Sequence, residues 1–169
     1  MQNIGFIGTG LMGFPMAKNI LKAGYKVRAF NRSKNKAEPL KDFGAEISNS
    51  IRELVKESHV VITMLTNDDA VNEVLGSDEF LNNLKPNSTV IDMSSVKQTT
   101  AVNHGKNLKS RKIKYLDAPV SGGTIGAEEA SLAIMIGGEQ IVFETVKDIL
   151  KSMGNPTLVG PIGCGQVSK

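Results

Sequence analysis

The segment NIGFIGTGLMG, residues 3–13, decides the fold of this chain. An apolar run with strand character leads directly into glycines at positions 8, 10 and 13, and an amphipathic segment follows. A G-x-G-x-x-G pattern is weak evidence alone, but between a strand and a helix it is typical of a dinucleotide-binding turn. In such a turn Gly8 permits the tight bend, Gly10 lets a pyrophosphate approach the backbone, and Gly13 lets the helix pack on the strand.

Short apolar runs alternate with amphipathic segments along the rest of the chain. Residues 3–7, 26–30, 59–65, 89–93 and 113–116 are β-branched or aromatic-rich, which predicts buried strands. The segments between them predict helices, and Gly154 is predicted to close the last of these. Alternating strands and helices favour right-handed crossovers. We therefore predict an α/β fold with a Rossmann-like, doubly wound, mostly parallel sheet.

The composition is that of an ordinary globular domain. Of 169 residues, 40% are hydrophobic and 22% charged, with a net charge of +3. Basic residues are locally dense only at 28–36 and 106–114, which favours solvated surfaces over a nucleic-acid interface. No run approaches the ~20 apolar residues of a membrane span, and Cys164 alone makes neither an intrachain disulfide nor a metal site. We predict a cytoplasmic protein with no metal, nucleic-acid or membrane partner.

The end of the second strand bears on the choice of cofactor. An Asp or Glu about 20 residues after the glycines usually holds the adenosine 2′-hydroxyl. Here the strand runs into Asn31, Arg32 and Ser33, so the carboxylate is absent and a guanidinium that can bind a 2′-phosphate is present. We expect NADP(H) to be preferred, with NAD(H) still possible. The alternative is that Arg32 is an ordinary surface residue.

Other strand ends supply further candidates, because ligands of doubly wound sheets bind at the carboxyl ends of strands. Met64, Leu65 and Thr66 follow one predicted strand, where their apolar atoms could flank the cofactor or simply pack in the core. Ser95 follows the next strand. The sequence DAPVSGG at 117–123 follows another, and a hydroxyl beside exposed backbone N–H groups suits a small carboxylate, although it is also an acceptable turn.

Three segments together resemble the β-hydroxyacid dehydrogenase family: GFIGTGLMGFPMAKNI at 5–20, DAPVSGGTIGAEEA at 117–130 and GPIGCGQVSK at 160–169. This family includes 3-hydroxyisobutyrate dehydrogenases, tartronate semialdehyde reductases and glyoxylate/succinic semialdehyde reductases. The match runs through the whole chain in the right order. One departure is Ala130, where members usually have glycine, and it touches no proposed chemistry.

The resemblance implies hydride transfer between the nicotinamide and the carbonyl carbon of a small carboxylate-bearing aldehyde or ketone, or the reverse from its hydroxy acid. Ser121, Gly122 and Gly123 would hold the carboxylate. Ser95 would position substrate or nicotinamide, and Lys169, which matches the family's catalytic lysine, would donate the proton. The residues assigned to the cofactor are Gly8, Thr9, Gly10, Leu11, Met12, Gly13, Asn31, Arg32, Ser33, Met64, Leu65, Thr66, Val71 and Ser95.

The resemblance also implies a second domain, because the family's catalytic lysine lies near the start of a long helix leading into an all-helical domain. We expect residues 1–169 to be the NADP-binding domain of such an enzyme, with that helical domain absent from this chain. The chain alone should then bind cofactor with little activity, and the full-length protein should form a homo-oligomer through the helical domain. Two alternatives remain: a non-catalytic NADP-binding module, and an imine reductase, which usually lacks this lysine and the carboxylate-holding serine.

Overall fold

The computed structural model describes residues 2–169, and nine strands of that part of the chain form one sheet. The strands are β1 (Asn3–Ile7), β2 (Lys26–Phe30), β3 (Glu46–Ile47), β4 (Val60–Thr63), β5 (Thr89–Asp92), β6 (Lys114–Asp117), β7 (Val120–Ser121), β8 (Leu132–Gly137) and β9 (Gly154–Gly160). The α-helices are α1 (Gly13–Lys22), α2 (Ile51–Lys56), α3 (Asp68–Leu75), α4 (Asp78–Leu81), α5 (Gln98–Ser110), α6 (Gly123–Glu129), α7 (Gln140–Lys151) and α8 (Cys164–Ser168). Short 3-10 helices at Lys34–Lys36 and Glu38–Phe43 connect β2 to β3.

The sheet runs in the order β3-β2-β1-β4-β5-β6-β8-β7, with β9 paired to β8. All pairs from β3 through β6 are parallel. In contrast, β8 runs antiparallel to β6 and β7 and parallel to β9. The strand order reverses between β1 and β4, and doubly wound sheets bind ligands in the crevice at such a reversal. The predicted Rossmann-like α/β fold with a mostly parallel sheet is confirmed.

Apolar side chains cover both faces of the sheet. All residues of β4 and β5 are buried, and their side chains alternate between two clusters. Ile62 and Ile91 belong to the first cluster, and Val61 and Val90 to the second. Successive strand residues point to opposite faces, so each cluster fills one side of the sheet. This double coverage keeps the strand ends as the accessible edge for a site.

The five predicted strands are present as β1, β2, β4, β5 and β6, with small shifts at their ends. The predicted closure of the last helix by Gly154 is wrong, because α7 ends at Lys151 and Ser152 is its C-cap. Gly154 instead begins β9, where an added Cβ would lie 2.1 Å from the carbonyl oxygen of Leu132. The close approach of β8 and β9 therefore explains this glycine.

Residues 2–169 contain no helix that is both long and apolar enough to cross a membrane. Over the same residues, His, Cys, Asp and Glu side chains form no group of three or more that could hold a metal ion. Cys164 is a half-buried free thiol at the start of α8.

Candidate active site

The turn between β1 and α1 is shaped by its glycines in different ways. Gly8 has a φ of +101°, and an added Cβ there would lie 2.2 Å from the carbonyl oxygen of Met64. At Gly13 an added Cβ would lie 1.8 Å from the carbonyl oxygen of Gly8. Gly10 differs, because nothing lies within 4 Å of its Cβ position. Gly8 and Gly13 are required by the turn itself, whereas Gly10 leaves open space above it.

The start of α1 offers free hydrogen-bond donors beside that space. Within residues 2–169, the backbone N–H groups of Gly10, Leu11 and Met12 have no hydrogen-bond acceptor. Unpaired N–H groups at a helix N-terminus favour a negatively charged ligand. The turn therefore has both the room and the donors that a pyrophosphate requires.

Thr9 and Asn31 hold the neighbouring loops together. The Thr9 N–H donates to Oδ1 of Asn31 at 2.9 Å, and the Thr9 hydroxyl donates to the carbonyl oxygen of Lys36 at 2.9 Å. Nδ2 of Asn31 donates to the carbonyl oxygen of Ser33 at 3.0 Å. Thr9 is buried. These bonds join the glycine turn to the loop after β2, so they fix the backbone that carries Arg32.

A cleft of about 470 Å³ lies over the ends of β1, β2 and β4. Many residues predicted from the sequence line it: Gly8, Gly10, Asn31, Arg32, Ser33, Met64, Leu65 and Thr66. Arg32 and Ser33 are exposed. Among residues 2–169, Arg32 has neither an ion-pair partner nor a side-chain hydrogen bond, so its guanidinium is free to bind a ligand.

Lys36 is a second cation in the same cleft. The sequence does not single out Lys36, because a lysine in a basic loop carries no distinguishing pattern. The bond from the Thr9 hydroxyl to the Lys36 carbonyl oxygen brings that residue to the cleft. Two carboxylates, Glu73 and Glu79, also line the cleft, but they belong to α3 and α4 and not to the end of β2.

Other residues assigned to the cofactor lie outside the cleft lining. Leu11 is 85% exposed beside the turn, and Met12 packs partly buried against the first core cluster. Val71 is fully buried in the second cluster. Its neighbours Ala70 and Val74 line the cleft instead, because they lie on a different face of α3 from Val71.

A buried carboxylate links the ends of β4 and β5. Oδ1 of Asp92 accepts from the Thr63 hydroxyl at 2.9 Å and from the Ser94 N–H at 3.1 Å. The Ser94 hydroxyl accepts from the Leu65 N–H at 2.8 Å. Oδ2 of Asp92 has no hydrogen-bond partner within residues 2–169. Burial raises the pKa of Asp92 to about 6, because removing the carboxylate from water disfavours its charged form.

Asp117, at the end of β6, anchors the helix that leads to Lys169. Its two carboxylate oxygens accept from the Gly163 N–H at 2.7 Å and from the Gln166 N–H at 3.0 Å. Burial raises the pKa of Asp117, and the hydrogen bonds from these backbone N–H groups oppose that rise. The carboxylate therefore satisfies donors at the start of α8 that would otherwise be unpaired.

The end of α8 meets the loop after β5. Nζ of Lys169 donates to Oγ of Ser95, and both side chains are exposed. Gln166, one helical turn earlier, hydrogen-bonds to the backbone on both sides of Ser95. The structure thus brings together the predicted proton donor and a predicted positioning serine from distant parts of the chain.

The predicted carboxylate-binding segment begins four residues after Asp117. Ser121 ends β7, and Gly122 and Gly123 have φ values of +141° and +62°, a region that favours glycine. These residues are exposed, and no hydrogen bond within residues 2–169 joins them to Ser95 or Lys169. Ala130 has a φ of +56° at the end of α6, which is the conformation suited to the glycine usual in the family.

Residues 3–163 match the model of the NAD binding domain of 6-phosphogluconate dehydrogenase. The chain belongs to this family. The NAD-binding domain is 42% identical over 170 residues to the uncharacterized oxidoreductase YkwC of Bacillus subtilis, covering 99% of this chain and 59% of that protein. It is 38% identical to 2-hydroxy-3-oxopropionate reductase of Escherichia coli, covering 99% of this chain and 58% of that protein.

Solved structures agree with this assignment. The 3-hydroxyisobutyrate dehydrogenase of Mycobacterium tuberculosis with L-serine superimposes with a TM-score of 0.95 at 34% identity, covering 99% of this chain and 57% of that chain. An imine reductase from Myxococcus stipitatus in complex with NADP+ has a TM-score of 0.90 at 25% identity, covering 98% and 58%. The chain thus spans little more than half the length of the relatives it matches. The resemblance to the β-hydroxyacid dehydrogenases is confirmed, and the chain is an NAD-binding domain of this family.

Asp92 should give this NAD-binding domain a distinctive dependence of stability on pH. The folded pKa of about 6 lies above the ordinary value of 3.8, so between those values the folded state holds a proton that the unfolded state releases. The contribution of Asp92 to stability is therefore greatest at low pH and is lost as the pH rises through that window. Asp92→Asn should remove this loss. The unfolding free energy of the variant, relative to that of the unsubstituted domain, should therefore increase by about 3 kcal/mol from pH 3.5 to pH 7.5.

Denaturant unfolding of both proteins at the two pH values measures this shift. The substitution Asp148→Asn, at an exposed position on α7, is the matched control. Its unfolding free energy relative to that of the unsubstituted domain should be nearly the same at both pH values. If the unfolding free energy of Asp92→Asn relative to that of the unsubstituted domain were also the same at both pH values, Asp92 would have the same pKa in the folded and unfolded states.

Proposed function

We propose that the protein containing this domain transfers a hydride between NADP(H) and a small β-hydroxy acid or its semialdehyde, as 3-hydroxyisobutyrate dehydrogenases and semialdehyde or glyoxylate reductases do. The observation that carries the proposal is the contact of Nζ of Lys169 with Oγ of Ser95 at the ligand-binding edge of the sheet. An ammonium group at this edge can protonate an oxygen that gains negative charge during reduction.

The residues of the glycine turn fit a nicotinamide dinucleotide. The open space at Gly10 and the unpaired N–H groups beside it would accept the pyrophosphate. The cleft next to the turn would hold the adenosine half, with Met64 and Leu65 along its wall. When bound, the cofactor supplies the hydride, and the side chains of this domain hold and protonate the substrate.

The resemblance to the β-hydroxyacid dehydrogenases implies a role for each candidate substrate-binding residue. Ser121, Gly122 and Gly123 would hold the substrate carboxylate with a hydroxyl and backbone N–H groups. Ser95 would position the substrate or the nicotinamide. Lys169 would donate a proton to the developing alkoxide in reduction and accept it in oxidation. Partners of this site are small carboxylate-bearing aldehydes, ketones or hydroxy acids.

We further propose that residues 1–169 form the cofactor domain of a longer enzyme, in which an all-helical domain follows Lys169 and provides a homo-oligomer interface. Lys169 is exposed in this structure, and a general acid works best where water is excluded. The domain alone should therefore bind cofactor with little or no reductase activity.

The test is oxidation of NADPH by the domain alone and by the chain extended through its helical domain. The substrates are glyoxylate, succinic semialdehyde, tartronate semialdehyde and methylmalonate semialdehyde. Activity that appears with any of them in the extended protein supports the function. Lack of activity with all of them in an extended protein that binds NADPH would argue against it, and substantial turnover by the domain alone would refute the need for the helical domain.

An imine reductase is the second candidate, because such an enzyme shares this fold closely. Lys169 and Ser121 favour a carboxylate-bearing substrate instead, since imine reductases usually lack both. A cyclic imine without a carboxylate, added to the same assay, discriminates the two. A non-catalytic NADP-binding module would bind cofactor without turning over any of these substrates in the extended protein.

Arg32→Ala should reduce the preference for NADPH over NADH by about 5- to 150-fold, because a lost charge-assisted phosphate contact costs about 1 to 3 kcal/mol. Titration of the domain with each cofactor, followed by nicotinamide fluorescence, gives the two dissociation constants for each protein. The affinity for NADH should change little, since NADH carries no 2′-phosphate.

Arg111→Ala is the matched control for this measurement, because Arg111 follows α5 and does not line the cleft. Its cofactor affinities should equal those of the unsubstituted domain. Equal affinities of the unsubstituted domain for NADPH and NADH would remove the basis for the NADP(H) assignment. An unchanged preference in Arg32→Ala would remove Arg32 from it.

A further inference from the structure

Gln166 connects α8 to the loop that carries Ser95. Its Nε2 donates to the carbonyl oxygen of Ser94 at 2.8 Å, and its Oε1 accepts from the N–H of Val96 at 3.1 Å. Ser95 lies between these two peptide groups. A single half-buried side chain on α8 therefore hydrogen-bonds to the backbone on both sides of the serine that Lys169 contacts.

This pair of bonds requires an amide. A glutamine side chain offers a donor and an acceptor at once, whereas an ionised glutamate offers acceptors only and a leucine of similar size offers neither. The amide satisfies one backbone donor and one backbone acceptor of the same short loop. Replacing it by leucine leaves both backbone groups without their partner.

The backbone at the start of α8 is held by a second side chain. The carboxylate of Asp117 accepts from the N–H groups of Gly163 and Gln166, which ties the start of α8 to the end of β6. This anchor fixes where the helix begins, but it makes no contact with Ser95. Ser94 also ties the loop to Asp92 and Leu65, and the side chain of Gln166 ties the two peptide groups that flank Ser95 to α8.

We propose that Gln166 is a positioning residue that holds Oγ of Ser95 against Nζ of Lys169. The inference rests on the proposed function and deepens it, because proton transfer requires Nζ of Lys169 to lie within about 3 Å of the substrate oxygen that accepts the proton. Lys169 and Ser95 are both exposed, so little packing restrains them. A misplacement of about 1 Å in such a geometry can lower the rate about 100-fold.

The first test uses the domain itself and is independent of activity. In nuclear magnetic resonance spectra, the nuclear Overhauser contact between the Lys169 and Ser95 side chains should be present in the unsubstituted domain and absent in Gln166→Leu. Exchange of the Val96 amide hydrogen should be at least about tenfold faster in the variant, because its acceptor is lost. Gln140→Leu, at an exposed position on α7, is the matched control and should change neither. Absence of the contact from the unsubstituted domain, or its persistence in Gln166→Leu, would overturn the inference.

The second test uses the protein extended through its helical domain. Gln166→Leu should lower kcat of the folded enzyme about 100-fold with little change in KM for substrate or cofactor. A role in folding alone would lower the melting temperature but leave kcat of the folded fraction unchanged, which would also overturn the inference.

Gln166→Glu provides a variant that keeps one hydrogen bond and supports folding. Its carboxylate can accept from the Val96 N–H, and only its protonated form can donate to the Ser94 carbonyl oxygen. The ratio of its kcat to that of the unsubstituted enzyme should therefore rise as the pH falls, and a flat ratio would contradict the proposed role. If the extended protein bound NADPH but turned over none of the substrates, while Gln166→Leu still lost the Lys169–Ser95 contact, the proposed function would fail and the positioning by Gln166 would stand.

Discussion

Lys169→Ala should lower kcat about 1,000-fold in the protein extended through its helical domain, because a positioned general acid contributes about 100- to 10,000-fold to a rate. The affinity for NADPH should be unchanged, since Lys169 contacts Ser95 and does not line the cofactor cleft. Steady-state kinetics with the best substrate of the panel and a separate NADPH titration measure the two quantities.

Two further lysine variants make this result specific. Lys151→Ala replaces an exposed lysine at the end of α7 and should retain full activity. Lys169→Arg keeps the positive charge, but a guanidinium does not release its proton at accessible pH, so this variant should also be nearly inactive. Full activity of Lys169→Ala would remove Lys169 from the mechanism, and full activity of Lys169→Arg would show that charge alone is needed.

Gly10→Ala and Gly13→Ala should both weaken cofactor binding, but only Gly13→Ala should lower the stability of the domain, although both substitutions lie in the same turn. The Cβ of Gly10→Ala meets nothing within 4 Å in the free domain, so folding should be normal. That methyl group occupies the space where the pyrophosphate would approach the N–H groups of Leu11 and Met12. We expect NADPH affinity to fall about 100-fold, corresponding to about 3 kcal/mol of lost contact.

The methyl group of Gly13→Ala would lie 1.8 Å from the carbonyl oxygen of Gly8, so α1 must move away from β1. Such overpacking typically costs about 1 to 3 kcal/mol and occasionally more, so this variant should lose stability as well as cofactor binding. Denaturant unfolding and NADPH titration of both variants separate these effects. Normal NADPH binding by Gly10→Ala would show that the cofactor does not cross this turn.

Strands β8 and β9 are absent from the five strands predicted from the sequence, and each absence has a physical reason. β9 contains Pro156 between glycines at its two ends, a composition that argues against a central strand. The structure resolves this conflict because β9 pairs only with β8 and lies off the main strand order. β8 is antiparallel to β6, so it departs from the strand–helix alternation on which the fold prediction depends. Only the packing of the sheet decides these pairings.

Two residues assigned to the cofactor from the sequence also make hydrogen bonds within the protein. Asn31 was assigned to the cofactor, and in the structure its side chain accepts from Thr9 and donates to Ser33. Thr9 similarly uses its N–H and hydroxyl within the protein. A sequence pattern places such residues at a site, but their hydrogen-bond partners depend on how loops from different strands meet.

The sequence by itself determined the glycine turn, the parallel core strands and the cationic end of β2, because these depend on sterics, periodicity and charge among neighbouring residues. Tertiary structure alone decided the contact of Lys169 with Ser95 and the hydrogen bonds of Gln166 to the loop around that serine. It also decided the hydrogen bonds by which Asp117 holds the start of α8. These contacts join residues tens of positions apart. They form because the parallel strands bring their carboxyl ends to one edge of the sheet, where hydrogen-bond geometry and not sequence proximity selects the partners.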